Sequence, residues 1–197
     1  MKKIKILLII LGVFLLSGCN ITKDSMEDIE IYTTIYPIRY LINSLYGTNS
    51  TINSIYPSGV DPNDFKISDK KIEEYSKTDL FVFNSLDKER DIAVKMLNKN
   101  KKLKIIDVST GMTYDNDIAE LWLNPYNYLM MAENTKKGLL EYIDNPYLIS
   151  NTDGTGIENK YEELKYDLSR LDADMKEKVS LAKYNTVVVD TNLFKYL

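Results

Sequence analysis

The sequence contains no histidine and only one cysteine, at position 19. Without histidine the chain has no Ser-His-Asp or Cys-His nucleophile system, no imidazole ligand for zinc, and no side chain whose ordinary pKa lies near neutrality. A single cysteine excludes an internal disulfide framework, and eight glycines and five prolines in 197 residues exclude a collagen-like or low-complexity chain. An enzyme would need carboxylates, lysine or tyrosine, and no acid–base pair stands out among them.

Positive charge is also scarce. The chain has 25 Lys and Arg against 29 Asp and Glu, and three of the lysines lie within its first five residues, so the remainder carries 22 against 29, or −7. Nucleic-acid binding requires clustered Lys and Arg, and this acidic body has no basic stripe. Nucleic acid is therefore excluded as a partner. With 44% hydrophobic residues, a chain of this length can bury a sizeable core in one or two domains.

The longest apolar run, residues 6–16, follows three lysines near the N-terminus. Eleven residues are too few to span a bilayer as a permanent helix, so residues 1–18 are predicted to be a cleaved secretory signal. Small residues precede Cys19, as in the bacterial lipobox, which predicts a diacylglycerol on its thiol. A cysteine without a partner in an exported protein agrees with lipidation. The alternative is an uncleaved anchor with a buried, inert cysteine.

Residues 19–28 are polar and without periodicity, which predicts a lipidated tether, and the globular body is expected to begin near Ile29. From there, short β-rich runs alternate with helical spacing, which predicts an α/β fold: an N-terminal lobe over residues 29–150 with a parallel sheet and flanking helices. Ligand contacts are expected in the loops after the carboxyl ends of the strands. The predicted strands are residues 29–35, 51–55, 79–84 and 103–108.

Residues 151–156 (NTDGTG) form the clearest break in the chain. Beyond it, apolar residues follow at steps of three and four from Ile157 to Ala182, which predicts one linker helix over residues 157–183, about seven turns long. A coiled-coil arm is the alternative. The run of valines that follows predicts a buried strand, the first of a second α/β lobe that residues 184–197 begin and that is truncated in this chain.

Several segments, taken in order, resemble one known family. They are the lipobox, Tyr36-Pro37, residues 57–65 (PSGVDPNDF), residues 77–84 (KTDLFVFN), residues 121–125 (LWLNP) and residues 194–197 (FKYL). Together they resemble the solute-binding lipoproteins of zinc and manganese ABC importers, also described as adhesin-like lipoproteins. Members of that family have two α/β lobes joined by a long helix, with a metal ion in the cleft between them.

The resemblance implies a solute-binding lipoprotein, not an enzyme, that acts as a monomer beside an ABC permease on the extracytoplasmic face of the cell membrane. The family's three histidine ligands correspond here to Asn63, Glu120 and Thr191, and its carboxylate ligand would lie past Leu197. We therefore expect no capture of zinc by imidazole. The tryptophan at position 122 and the two tyrosines that follow predict packing anchors or, alternatively, the lining of a cleft.

Asp61, Asp64 and Asp190 are further oxygen donors close to those positions. Such a donor set suits Mn²⁺, Ca²⁺ or Mg²⁺ better than zinc. The simpler interpretation is that they are ordinary loop residues, with Asp61 and Asp64 in a turn and Asp190 as a helix cap. The alternative function is a surface adhesin-like interaction lipoprotein that has kept the scaffold and no longer binds metal.

Overall fold

The structure, a computed structural model, describes most of the predicted globular body. The described residues are 23–86, 88–113, 120–184, 186–190 and 194. The predicted signal segment, Cys19 and Thr191 lie outside them. Within these ranges, no helix combines the length and the apolarity that crossing a bilayer requires.

The described strands form one four-stranded parallel sheet in the order β2-β1-β3-β4. This confirms the predicted parallel α/β fold, and each strand lies within two residues of its predicted bounds. Because β2 lies on one side of β1 and β3 on the other, the chain changes direction there, and a crevice is expected at the carboxyl ends of β1 and β3. The strands are β1 (Ile29–Thr33), β2 (Ser50–Ser54), β3 (Leu80–Phe83) and β4 (Lys104–Asp107).

Six α-helices are described, and local chemistry fixes where several of them begin. The Ser68 side chain caps α2 by accepting from the Lys71 N–H at 3.4 Å, and the Asn124 side chain caps α4 by accepting from the Asn127 N–H at 3.0 Å. A proline lies in the first turn of both α1 and α4. The helices are α1 (Tyr36–Tyr46), α2 (Asp69–Tyr75), α3 (Glu89–Lys99), α4 (Pro125–Tyr142), α5 (Pro146–Ile149) and α6 (Ile157–Leu181).

The sheet has a hydrophobic core on each face. Helices α1, α4 and the first half of α6 cover one face, and α2 and α3 cover the other. Strand β3 contributes to both, with Leu80 and Val82 on the first face and Phe81 and Phe83 on the second, and all four side chains are buried. This is the continuous apolar pattern that a central parallel strand requires.

The polar segment before β1 is attached to the body, so the expected tether is wrong for residues 24–28. The Asp24 N–H donates to the Tyr142 carbonyl at 2.9 Å, and the Asp24 carbonyl accepts from the Asp144 N–H at 3.0 Å. Its carboxylate pairs with Lys104 at 2.8 Å, and Met26 is 1% exposed. All these partners are distant along the chain, so the local composition gave no indication of them.

Helix α6 forms over nearly the predicted span, but its first half alone is packed on the lobe, against α4 and α1. The buried strand expected at residues 186–189 is not formed. These residues have no regular structure, and Val188 is 94% exposed. A strand needs a neighbour for its backbone hydrogen bonds, and no described strand lies beside this segment.

Candidate functional site

A cleft of about 680 Å³ lies at the carboxyl edge of the sheet. It lies where the strand order reverses, in the loops that the sequence predicts as ligand-contacting, and its volume is in the range of small-molecule sites. Residues from four places in the chain line it: residues 34–37 and Arg39 after β1, Ser54 and residues 56–63 after β2, Asn84 and Glu89 after β3, and residues 120–122 before α4.

The loop after β2 carries two of the predicted donors, Asp61 and Asn63, and holds itself in a turn. The Asp61 carboxylate accepts from the Asn63 N–H at 2.7 Å, and its carbonyl accepts from the Phe65 N–H at 3.0 Å. Gly59 has a φ of 80°, a conformation that favours glycine. The ammonium group of Lys88 contacts the Pro62 carbonyl and ties the loop to the start of α3. Both predicted donors line the cleft as a result.

Glu120 lines the same cleft, immediately before the short 3₁₀ turn Leu121–Leu123. Burial raises the pKa of Glu120 above its ordinary value, because the carboxylate has lost part of its hydration. A cation beside the carboxylate would offset that loss. The structure therefore brings Asn63 and Glu120 into one cleft, although they are far apart in the sequence.

The other predicted donors are not brought together with these. Asp64 does not line the cleft, and Asp190 is exposed beyond the end of α6. No group of three Cys, His, Asp or Glu side chains able to hold a metal ion is found in the described part of the chain. The expected oxygen-donor set is therefore present in part, as Asp61, Asn63 and Glu120.

A second polar cluster connects the carboxyl ends of β3 and β4 beside the cleft. Asp107 accepts from the Ser109 hydroxyl at 2.6 Å and from the N–H groups of Ser85 and Ser109 at 3.1 and 3.0 Å. Burial alone would raise the pKa of Asp107, but the hydrogen bonds from Ser109 and Ser85 outweigh it and lower that pKa. Glu89 acts similarly, accepting from the Asn84 N–H at 2.9 Å. These contacts fix the strand ends and do not themselves form a ligand site.

The aromatic residues near α4 have different roles. Trp122 lines the cleft and is partly buried. Tyr128 is buried, and its hydroxyl donates to the Pro37 carbonyl at 2.7 Å, which joins α4 to the start of α1. Burial raises the pKa of Tyr128 above its ordinary value. Tyr126 is exposed and does not line the cleft. Of the two interpretations, cleft lining applies to Trp122 and packing to Tyr128.

Two cleft residues, Thr34 and Arg39, are absent from the sequence-based predictions. Arg39 lies on the first turn of α1, is exposed, and has no carboxylate within ion-pair distance among the described residues. Thr34 is fully buried, and its hydroxyl has no hydrogen-bond partner in the described structure. An arginine on the polar side of a helix and a threonine after a strand are common, so no sequence pattern marks them. Only the fold indicates that these two residues belong to a site, because they lie beside β1, where the order of the strands reverses.

Comparison with known proteins gives consistent matches. The family model described as zinc-uptake complex component A, periplasmic (ZnuA), matches residues 31–197. The zinc-binding lipoprotein AdcA of Streptococcus pneumoniae is 25% identical over all of this chain and 42% of its own length. A metal ABC transporter substrate-binding lipoprotein of Lactococcus lactis is 27% identical, over 93% of this chain and 63% of its own. The chain thus spans about half the length of these relatives.

A solved structure, the Zn(II)-bound ZnuA-like domain of S. pneumoniae AdcA, superposes with a TM-score of 0.70 at 21% identity. The superposition covers 86% of this chain and 62% of that domain. At this identity the likeness establishes the fold.

Proposed function

The chain belongs to the ZnuA family of periplasmic zinc-uptake components, and on this ground we propose that it captures a solute for a metal-type ABC importer. The observation that carries the proposal is the cleft at the carboxyl edge of the sheet. Asn63 and Glu120, which match two of the family's ligand positions, both line it. In this role the protein binds its solute outside the cytoplasm and delivers it to a membrane permease.

The cargo is proposed to differ from that of zinc-binding relatives. Tight zinc sites in proteins use cysteine and histidine, and this sequence has no histidine. Asp61, Asn63 and Glu120 offer only oxygen atoms, which suit harder ions such as Mn²⁺, Ca²⁺ or Mg²⁺. Three donors leave such an ion largely hydrated, so we expect weak binding of a hard cation and no tight binding of zinc.

Trp122 makes this proposal easy to test, because it is the only tryptophan in the chain and it lines the cleft. The full chain with Cys19→Ser, which removes the only thiol, would be purified in detergent and titrated with Zn²⁺, Mn²⁺ and Ca²⁺ while tryptophan fluorescence is followed. We expect no saturable zinc response at micromolar concentration. For Mn²⁺ or Ca²⁺ we expect dissociation constants on the order of 10⁻⁴ to 10⁻³ M, as in weak extracellular sites.

Glu120→Gln should abolish any metal response, and Glu177→Gln, an exposed carboxylate on the second half of α6, should leave it unchanged. A one-to-one zinc isotherm at micromolar concentration that Glu120→Gln abolishes would show that this cleft captures zinc despite the missing imidazoles.

The location is proposed to be the outer face of the membrane, with the lipid on Cys19. The relatives named above are lipoproteins, and the residues before Cys19 fit a lipobox. In a bacterial host supplied with a clickable fatty acid, the parent chain should take up label and the Cys19→Ala variant should accumulate as an unlabelled precursor. Equal labelling and processing of the two chains would contradict the proposed anchor.

A further inference from the structure

The first turn of α1 gives the cleft an anion-binding end. Ile35, at the N-cap of α1, has no side chain that can cap the helix, and no other described side chain accepts from the N–H groups of Tyr36 and Ile38. This end of the eleven-residue helix carries the positive end of the helix dipole. Arg39 lies one residue further on and lines the cleft without a carboxylate partner in the described residues. Together these groups would favour a carboxylate.

Thr34 provides an independent indication of a ligand at the same place. It lines the cleft directly before α1, it is fully buried, and its hydroxyl has no hydrogen-bond partner among the described residues. Buried hydroxyls in folded proteins nearly always have a partner, since leaving one unpaired is costly. A ligand oxygen seated at the carboxyl end of β1 would supply that partner.

The remaining charges in the cleft are negative and come from other segments. Asp61 lies in the loop after β2, and Glu120 lies before α4. Glu89, whose carboxylate accepts from the Asn84 N–H, lies at the start of α3. A simple anion would be repelled by these three carboxylates, and Arg39 would weaken the binding of a simple cation. A ligand that carries one negative group and one positive group would pair with Arg39 at one end of the cleft and with the carboxylates at the other.

We propose that the cleft binds a small zwitterionic solute of the α-amino-acid class, with its carboxylate at Thr34 and Arg39 and its ammonium group at Asp61 and Glu120. The inference rests on the proposed function in one respect, that this cleft is the solute site. The volume of about 680 Å³ holds a molecule of this size and far exceeds a bare ion. Trp122 and Tyr36 supply an aromatic lining for the side chain of the solute.

The test is calorimetric titration of the full chain in detergent with each of the twenty L-amino acids. The amino acid that binds most tightly is then compared with the amine that lacks its carboxylate and the acid that lacks its ammonium group. We expect saturable binding of at least one amino acid and roughly tenfold or greater loss for each analogue, the effect of losing a charge-assisted hydrogen bond.

Substitutions in the cleft test which residues bind the carboxylate of the solute and which bind its ammonium group. Arg39→Met and Glu120→Gln should each weaken binding roughly tenfold. Arg170→Met, an exposed arginine on α6, is the matched control and should leave the affinity unchanged. Thr34→Val keeps the shape of the side chain and should weaken binding without lowering the melting temperature, because the hydroxyl makes no hydrogen bond within the described structure.

Four results would overturn the inference. If the deaminated acid binds as tightly as the amino acid, the site takes a simple carboxylate. If Arg39→Met leaves the affinity unchanged, the amino acid binds elsewhere. If no amino acid binds while Mn²⁺ titrates the Trp122 fluorescence, the zwitterion inference is wrong and the proposed function stands. If neither class of solute binds, both proposals are wrong.

Discussion

The two halves of helix α6 have the same apolar spacing but different surroundings. In the first half, Ile157, Tyr161, Leu164 and Leu168 are buried against the lobe. In the second half, Leu171 is 49% exposed although it continues the same series. The spacing of apolar residues therefore predicts that a helix forms and which side is apolar. It does not predict whether another part of the structure covers that side.

Polar contacts also distinguish the halves. In the first half, the Lys136 ammonium of α4 lies 3.9 Å from the centre of the Tyr161 ring, and Glu133 accepts a hydrogen bond from the Tyr161 hydroxyl. In the second half, the described ion pair is the exposed Lys176–Asp172 pair within the helix itself. The attachment of α6 to the lobe thus depends on its first half.

The largest effect is expected from Leu164→Ala, which removes a side chain that is 7% exposed between α6 and the lobe. A cavity at a buried leucine typically costs about 2–5 kcal/mol of the free energy of unfolding. Urea denaturation of the full chain, followed by far-UV circular dichroism, measures this loss. A change below about 0.5 kcal/mol, the size of an ordinary surface substitution, would mean that the first half of α6 does not contribute to the core.

A smaller loss is expected from Gly138→Ala on α4, the helix between the sheet and α6. A Cβ atom at position 138 would lie 2.7 Å from the Ile106 Cγ1 atom of β4, so α4 would have to move away from the sheet. Overpacking of this kind typically costs about 1–3 kcal/mol. Alanine otherwise favours helices by up to about 1 kcal/mol over glycine, so a raised melting temperature would show that α4 adjusts without strain.

Glu133→Gln tests the polar contact between α4 and α6 through its pH dependence. Burial alone would raise the pKa of Glu133, but hydrogen bonds from Tyr161 and Lys136 outweigh it and lower that pKa to about 2, from an ordinary 4.5. The contribution of Glu133 to stability is therefore complete above about pH 4.5 and lost as the pH falls towards 2.

The side chain keeps about 30% of its area exposed, so solvent screening limits the contribution to about 1 kcal/mol. Melting temperatures of parent and variant should differ at pH 6 and converge near pH 2. A difference that stays constant over this range would rule out the charged form of Glu133 as the source.

The smallest effect is expected from Leu171→Ala, the counterpart of Leu164→Ala one step beyond the lobe. An exposed side chain without neighbours to pack against should change the free energy of unfolding by no more than about 0.5 kcal/mol. The same urea denaturation measures it. A loss as large as that of Leu164→Ala would show that the second half is covered in the folded protein, and the comparison between the halves would fail.

Most of the lobe could be predicted from the sequence, because its strands and helices have strong local patterns and caps, such as Ser68 and Asn124. The structure of two segments could not be predicted from the sequence. Asp24 and Met26 belong to the body through contacts with residues far along the chain, which no local pattern records. Val188 lies in an apolar run that looks buried, but burial needs a neighbouring strand, and a run of valines does not supply one.

The candidate site was predictable where a family resemblance marked it. Asn63 and Glu120 were matched by position, and both line the cleft. Thr34 and Arg39 carry no pattern of their own, since their importance comes from the strand reversal at β1 and from the missing cap of α1. Such residues become visible only when the sheet order is known.

The docking of Asp24 onto the lobe has a consequence for orientation relative to the bilayer. Asp24 pairs with Lys104, the first residue of β4, and therefore lies at the amino edge of the sheet, opposite the cleft. Only five residue steps separate Asp24 from Cys19, at most about 18 Å of extended chain. With the proposed lipid on Cys19, the amino edge of the sheet would be held close to the headgroups, and the mouth of the cleft would point away from the membrane, towards arriving solute.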